Sequence, residues 1–500
     1  MDLPAEVVGP DAWTYGKNIL MQDDRTLAAL GPSRVWGTPI ARPIWAASAP
    51  FGPINRAVYG GTAGLYATDG TNHANITPAT GFGGASQAAF TGGMFNGIFV
   101  ANDRAHRPCY WNGSLASLAI VLPAYPATDR ARSMRPFKYF LVQIGGIING
   151  ADSPNGVRWS SSAAPGLPPT TWTPAAGNDA GYVPLAGARE PLIDAAPLRD
   201  TLLVFEPHAT WALSYVGGAF VFSNRRILHT AGIISPNAWG TVGSDILFVA
   251  DGDVLICDGQ QVRSILTRRI KSAMFSTINA DAWNRCFVAV SSSRNQAIIG
   301  FPTGGAQYCN RALVWNFGSD KMGLVDLPNY SFAFGSYLNV GGPDNWENDP
   351  EAWDQSLQAW DWQRFTGEDS FIVAVRPDFG ATGAFEANER SESPADGPLE
   401  VIARKEKMSL EGDDRVKQVT RLYPKMQGPD GCEVFWRVGI SMDPGQPPRW
   451  LPERKFTIGQ DEKIDVRASG RFVSVQLRSK TARAWSCAGF DIEFQDAGAR

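Results

Sequence analysis

The sequence predicts an all-β protein: a β-propeller of six to eight blades followed by a C-terminal β-sandwich. Three observations lead there. A pair of short apolar strands recurs along the first four-fifths of the chain, and the composition, with Gly 52, Pro 35 and Trp 17, is rich in turn formers and large aromatics. At 500 residues the chain is also too long for one ordinary core but suits a repeat architecture with an appended domain.

The repeat consists of a β-branched or aromatic run, a turn, and a second run that often carries an aromatic residue. It is seen in NRAVYGGTAGLYATDG from Asn55, GIFVANDRAHRPCYWNG from Gly97 and KYFLVQIGGIINGADSPNGVRWSS from Lys138. It continues in DTLLVFEPHATWALSYVG from Asp200, SDILFVADGDVLICDG from Ser244, AIIGFPTGGAQYCNRALVWNFG from Ala297 and SFIVAVRPDFGATGAFEAN from Ser370. The first strands of these pairs start near Ala57, Ile98, Tyr139, Leu202, Ile246, Ile298 and Ile372. Most gaps are roughly 40 to 60 residues, the length of one four-stranded blade. The widest gap, between Ile298 and Ile372, leaves room for a further unit around PNYSFAFGSYLNV from Pro328.

The runs LLVF and ILFV are apolar at every position, as in strands buried on both faces. TWALSY alternates Trp211, Leu213 and Tyr215 with small or polar residues, as in a half-exposed strand. Turn chemistry follows at ADGD from Ala250, WNGS from Trp111 and ATDGT from Ala67, which supply residues that tolerate positive φ. One helix is expected in TRRIKSAMFSTINADAW, where Ile270, Met274 and Ile278 stand four apart and form one apolar stripe against the outside of a blade.

Residues 341–365, GGPDNWENDPEAWDQSLQAWDWQRF, place Trp346, Trp353, Trp360 and Trp362 among acidic residues with little strand pattern, and read as an excursion from the propeller. The polar stretch ANERSESPADGP from Ala387 reads as a linker. Beyond it come LEVIARKEKMSL, VKQVTRLYPKM, CEVFWRVGISM, RKFTIG, RFVSVQLRS and WSCAGFDIEF, dense enough for a sandwich. The expected division is 1–394 for the propeller and 395–500 for the sandwich.

The net charge of -4 divides unevenly: residues 401–500 hold 18 Lys+Arg against 14 Asp+Glu, whereas 341–400 hold 3 basic against 14 acidic side chains. The acidic stretch repels nucleic-acid phosphate. The opening MDLPAEVVGP lacks the basic and apolar regions of a secretory signal, and the apolar runs are shorter than the ~20 residues that span a bilayer, so neither a signal peptide nor a membrane-spanning segment is expected. Cys109, Cys257, Cys286, Cys309, Cys432 and Cys487 are scattered singly and read as reduced core residues; His73, His106, His208 and His229 are too dispersed for a metal site.

No catalytic constellation stands out, and neither an enzymatic activity nor a cofactor is expected. The carboxylates Asp245, Asp251, Asp253 and Asp258 share one hairpin and could suggest a glycosidase, but Asp251 and Asp253 sit in a turn and Asp258 repeats the pattern at the next, where carboxylates bond nearby backbone. WSSSAAPGLPPTTW from Trp159 has the serines and tryptophans of a sialidase-type Asp box without its Asp. Neither a P-loop nor a nucleophile elbow is present, GGIING from Gly145 lies in a hairpin, and Arg268 and Arg269 read as the solvated face of the helix. The tryptophans at 346, 353, 360 and 362 form a candidate contact loop, read first as a packing or subunit surface and second as a sugar platform.

Several blocks, in order, resemble the tail-hub or nozzle proteins of short-tailed bacteriophages, also called packaged-DNA stabilisation proteins. They are DAWTYGKNILMQDDRTLAALG near the N-terminus, VRWSSSAAPGLPPTTWTP with AGYVPLAG, and DTLLVFEPHATWALSYVGG with GIISPNAWGTVGSDILFVADGDVLICDGQQV and TRRIKSAMFSTIN. KIDVRASGRFVSVQLRS and WSCAGFDIEFQDAGAR close the series. The excursion at 341–365 has no counterpart in that pattern. The resemblance implies a structural virion protein of the tail, assembled in the bacterial host cytoplasm as a homohexameric ring below the portal and its adaptor. It also implies contact with tail fibres or spike, and a channel that closes until DNA ejection and then passes genomic DNA without sequence-specific binding. The competing readings are a propeller carbohydrase and a receptor- or glycan-binding tail protein.

Overall fold

A computed structural model describes residues 12–22, 25–51, 54–218, 221–337, 370–387, 394, 396–410, 412 and 414–499. The chain is all-β, with one short α-helix among the described residues. Among the described residues, seven antiparallel sheets follow one another and form the blades of a propeller. Their first strands are Trp45–Phe51, Thr91–Phe95, Arg130–Phe137, Asp194–Leu198, Trp239–Val242, Phe287–Ser291 and Phe332–Tyr337. These lie next to their counterparts around a circle, the seventh returning to the first, while the fourth and fifth blades meet through Asp194–Leu198 and Asp245–Ala250.

The composition of the first strands follows from this position. Strands converge at the axis, so WAASAPF, TGGMF, DAAPL and FAFGSY carry Ala, Gly and Ser where bulk would not fit. At Gly240 an added Cβ would come within 2.7 Å of Val290 on the neighbouring blade. The second strands sit in the middle of each blade and are apolar throughout; Thr201–Phe205 and Asp245–Ala250 bury every position after the first.

The paired runs of the sequence therefore begin with the second strands of the blades, one marker per blade, and their number is seven. The stretch after Pro328 is not an additional unit. It contains the end of the sixth blade's outer strand Lys321–Tyr330 and the seventh blade's inner strand Phe332–Tyr337. The seventh blade is completed by Ser33–Val35, which pairs with Ala384–Ala387 and joins the two ends of the propeller chain.

The C-terminal domain is a sandwich of two sheets. One is ordered Tyr15–Lys17, Val401–Met408, Phe472–Ser479, Glu433–Ser441, Arg449–Trp450, with Arg454–Thr457 also on Glu433–Ser441. The other runs Ile19–Gln22, Arg25–Ala28, Ser486–Ala499, Arg415–Gln427, Ile464–Gly470. Val401, Leu422, Val434, Trp436, Val475, Leu477 and Trp485 fill the space between them. The boundary at 394/395 thus needs one amendment: Tyr15–Lys17, Ile19–Gln22 and Arg25–Ala28 belong to the sheets of the sandwich and not to a blade. Tyr15–Lys17 finds its partner strand almost 400 residues away and Arg25–Ala28 about 460 residues away, so nothing local in TYGKNILMQ marks the sheets they join.

Asn18 fixes the sandwich to the sixth blade. Its φ of 55° turns the chain between the two sheets, and its backbone N–H donates to Leu324 O at 2.8 Å. Its side-chain oxygen accepts from the Asp326 N–H at 2.7 Å, while its amide donates to Glu400 O at 2.8 Å. Lys17 Nζ lies 3.1 Å from Asp326. These contacts cover the outer edge of the sixth blade, which would otherwise present unpaired backbone groups.

The helix runs Arg268–Phe275, two turns and not the longer stretch expected; Ile278 lies beyond it and bridges to Thr303. Met274 is buried and Ile270 half-buried against the fifth and sixth blades, while Arg268 and Arg269 are exposed.

Candidate functional site

In a propeller the axis is the place where side chains from many blades can meet, so it is the first site to examine. Here it is occupied. Asp194, the first residue of the fourth blade, is fully buried and accepts from Arg135 Nε at 2.8 Å and Arg135 Nη2 at 2.6 Å. Ser133 Oγ donates to it at 2.6 Å, the Asn237 N–H at 3.0 Å and Trp239 Nε1 at 2.9 Å. Arg135 also donates to Gly92 O at 3.1 Å and to Asn237 Oδ1 at 2.7 Å, and its guanidinium lies 5.2 Å from the Trp239 ring centroid.

Asn237 completes the crossing. Its amide, on the approach to the fifth blade, donates to Phe90 O at 2.8 Å and Gln87 O at 3.3 Å, on the approach to the second. Gln87 in turn donates to Asn284 O at 3.3 Å, before the sixth blade. In a circle of seven the second and fifth blades are three steps apart, so these bonds span the axis. On the opposite side Phe90 stacks on Trp45 at 5.7 Å, and Phe332 packs on Trp45 at 6.5 Å and on Phe287 at 6.0 Å.

Burial pushes the Asp194 pKa up, but Arg135 and the hydrogen bonds from Arg135, Asn237 and Ser133 outweigh it and hold the carboxyl below its ordinary value. Asp194 is the one carboxylate of this network, with a paired cation and satisfied oxygens. General acid–base cleavage of a glycoside needs two carboxyl groups flanking a bond, one of them poised to give a proton. The axial cluster instead ties four blades together.

Other buried carboxylates act as loop clamps. Asp103 accepts the backbone N–H groups of Gly83 and His106, and Glu206 those of Arg189 and Glu190; each follows the second strand of its blade and holds the segment entering that blade. Asp129 makes the reciprocal clamp, accepting from Asn149 and Gly150 and pairing with buried Arg158 at 2.5 Å.

The hairpin carboxylates lie apart in function. Asp258 accepts the Gln260 and Gln261 N–H groups at 2.8 and 2.7 Å, a turn role that lowers its pKa. Asp253 accepts from Ser264 Oγ and Lys271 Nζ, Asp251 faces His208 Nε2 at 3.5 Å, and Asp245 faces Arg199 at 3.4 Å. Trp159 donates to Asp179 O and Trp172 is buried edge-on to Tyr125, so both tryptophans serve packing, while Ser162 and residues 164–167 between them are exposed.

All six cysteines are buried and unpaired, with burial pushing the Cys286 thiol up to about 12 and Cys487 up to about 11. His73, His106, His208 and His229 fall in separate places, and among the described residues no cluster of three His, Cys, Asp or Glu could hold a metal. Trp346, Trp353, Trp360 and Trp362 lie outside the described residues.

The axial residues Ser133, Arg135, Asp194 and Asn237 were not singled out by sequence. A signal exists: Asp194 opens the otherwise small and apolar DAAPL, and Ser133 and Arg135 alternate onto one face of a strand whose counterparts carry Ala or Gly.

Fold and site together define an all-β propeller–sandwich protein whose axis is bridged where the inner strands begin. No family model and no curated protein matches the chain. Among solved structures it is similar to the WD40 β-propeller domain of Doa1, at 6% identity and TM-score 0.39, covering 72% of this chain and 96% of that one. It is also similar to YCF48 bound to D1 peptide, at 9% identity and TM-score 0.38 over 74% and 97%. The extracellular domain of the putative one component system BT4673 from B. thetaiotaomicron gives 9% and 0.39 over 88% and 48%.

Proposed function

We propose that this chain is a non-catalytic structural subunit of a short-tailed bacteriophage tail, part of the nozzle or hub ring below the portal and adaptor. In this reading copies assemble into a closed homo-oligomeric ring, a hexamer in the family that the sequence blocks resemble. Packaged DNA is held back by the ring and later passes between the subunits, while fibres or spike attach outside.

The observation that most supports the reading is the bridged axis. A propeller whose inner strand ends are tied by Asp194, Arg135 and Asn237 and packed with Trp45, Phe90, Phe287 and Phe332 is a solid wall element. Its working surfaces are then outer faces and loops, as a ring subunit requires. The acidic balance outside the C-terminal hundred residues favours passage of a polyanion without sticking.

The reading is tested by mass spectrometry and immunogold labelling of purified virions, which should place the protein at the tail in a fixed copy number. Its absence from virions, or release of reducing sugar from host polysaccharide by the purified protein, would refute a structural role.

A further inference from the structure

The sandwich carries a cleft that the ring reading does not use. Glu433–Ser441 is paired on one edge with two separate short strands: Arg454–Thr457 covers Glu433 to Trp436, and Arg449–Trp450 covers Gly439 and Ile440. Between them Leu451 still donates its backbone N–H to Val438 O at 2.9 Å, and the chain leaves the edge at Pro452 and Glu453. Facing this split is the second sheet's terminal strand, Ile464–Gly470. A cleft of about 730 Å³ opens there.

Its lining is amphipathic. Leu422, Trp436, Val438, Leu451, Ile464 and Val466 supply apolar surface. Around them stand four arginines, Arg421, Arg437, Arg454 and Arg467, against one carboxylate, Asp465. Arg421 is engaged by Glu493 at 3.2 Å and Asp465 at 3.4 Å, and Arg437 donates to Gln476. Arg454 and Arg467 are exposed and make no ion pair among the described residues.

Trp436, 1% exposed, has its Nε1–H buried without an acceptor among the described residues. A buried indole N–H ordinarily finds a partner. Burial lowers the Arg437 pKa, with Arg404 and Arg478 adding to the effect and Glu453 opposing it. The cleft thus sets unpaired cations beside apolar surface, with Asp465 as its one carboxylate.

We propose that this cleft is a docking site for an acidic peptide segment, whose carboxylates pair with Arg454 and Arg467 while an apolar side chain packs against Leu451, Pro452 and Val466. Arginine forks suit carboxylates. The choice of peptide over nucleic acid rests on the apolar surface that Leu451, Pro452 and Val466 present beside the arginines.

The probe is a fluorescein-labelled synthetic peptide of residues 344–362, an acidic, tryptophan-bearing stretch of this sequence. Anisotropy is measured with the full chain and with a second version of the chain whose carboxylates at 344, 347, 349, 351, 354 and 361 are amides, so that the protein's own stretch does not compete; an all-amide peptide of the same residues is the control. The expected result is saturable, salt-sensitive binding to at least one version, weakened about tenfold or more by Arg454→Glu with Arg467→Glu.

Trp436→Phe, which removes the donor and leaves a smaller ring, should weaken it roughly three- to tenfold and delete the indole N–H resonance that shifts on peptide addition. Circular dichroism establishes that each variant is folded. Binding by neither version, equal binding of the all-amide peptide, or tighter binding of oligodeoxythymidylate at the same arginines would each overturn the proposal.

Discussion

Replacing Asp194 by Ala perturbs the propeller at its most connected point. The carboxylate is fully buried and the Arg135 side chain 8% exposed, so the substitution leaves a guanidinium without its anion. Breaking a buried ion pair from one side costs about 3–5 kcal/mol. Three further donors, Ser133 Oγ, the Asn237 N–H and Trp239 Nε1, lose their acceptor, each a penalty of about 1–3 kcal/mol unless water enters the space. A total loss of at least about 4 kcal/mol is expected.

Arg135→Met in the same background should restore part of this, with a coupling of about 2 kcal/mol or more, because the unpaired charge is gone. The assay is hydrogen exchange followed by peptide mass spectrometry. Protection should fall in Thr91–Phe95, Arg130–Phe137, Asp194–Leu198 and Trp239–Val242, and persist in the sandwich. A loss under about 1 kcal/mol, typical of a surface pair, would refute the idea that the axis is held by this network.

The pH dependence has a defined sign. The folded-state pKa of Asp194 is lowered, so its contribution is fully present above the unfolded value of about 3.9 and is lost as pH falls through the lower folded value. The wild type should therefore lose axial protection on acidification below about pH 4, and Asp194→Ala should lack that component.

Two further substitutions test the packing and one interface. Gly240→Ala places a Cβ 2.7 Å from Val290 and 3.1 Å from Val288, and should cost about 1–3 kcal/mol by overpacking, read as a lower thermal midpoint. Asn18→Ala removes the hydrogen bonds to Asp326 and Glu400 and retains the positive φ, so it should loosen the sandwich from the sixth blade and expose new sites to limited proteolysis. Asn18→Gly, which relieves the φ strain, should be milder by about 1 kcal/mol. Equal effects of Ala and Gly would mean that the backbone at Asn18 is unstrained.

The blades were legible because their second strands are buried on both faces, and runs such as LLVF and ILFV cannot be mistaken for surface. The inner strands escaped notice for the opposite reason. Crowding at the axis selects Ala, Gly and Ser, which carry little strand signal, and this is why FAFGSY was read as a possible extra unit. The six C-terminal segments were visible by alternation, but Ile464–Gly470, with only alternate weakly apolar positions, was not counted as a strand.

The swap of Tyr15–Lys17, Ile19–Gln22 and Arg25–Ala28 into the sandwich and the crossing bonds of Asn237 depend on pairings between distant positions. Local periodicity holds no record of them. The arginine-rimmed cleft was equally hidden, since Arg421, Arg437, Arg454 and Arg467 come from different strands and meet only where one sheet edge is interrupted.

The central claim is that this rigid propeller is a ring subunit. Native mass spectrometry of the purified protein with portal and adaptor, supported by electron microscopy of the same sample, tests it most directly. A closed ring of fixed stoichiometry, docked on the adaptor, is the predicted result; a protein that stays strictly monomeric in the presence of both would contradict it.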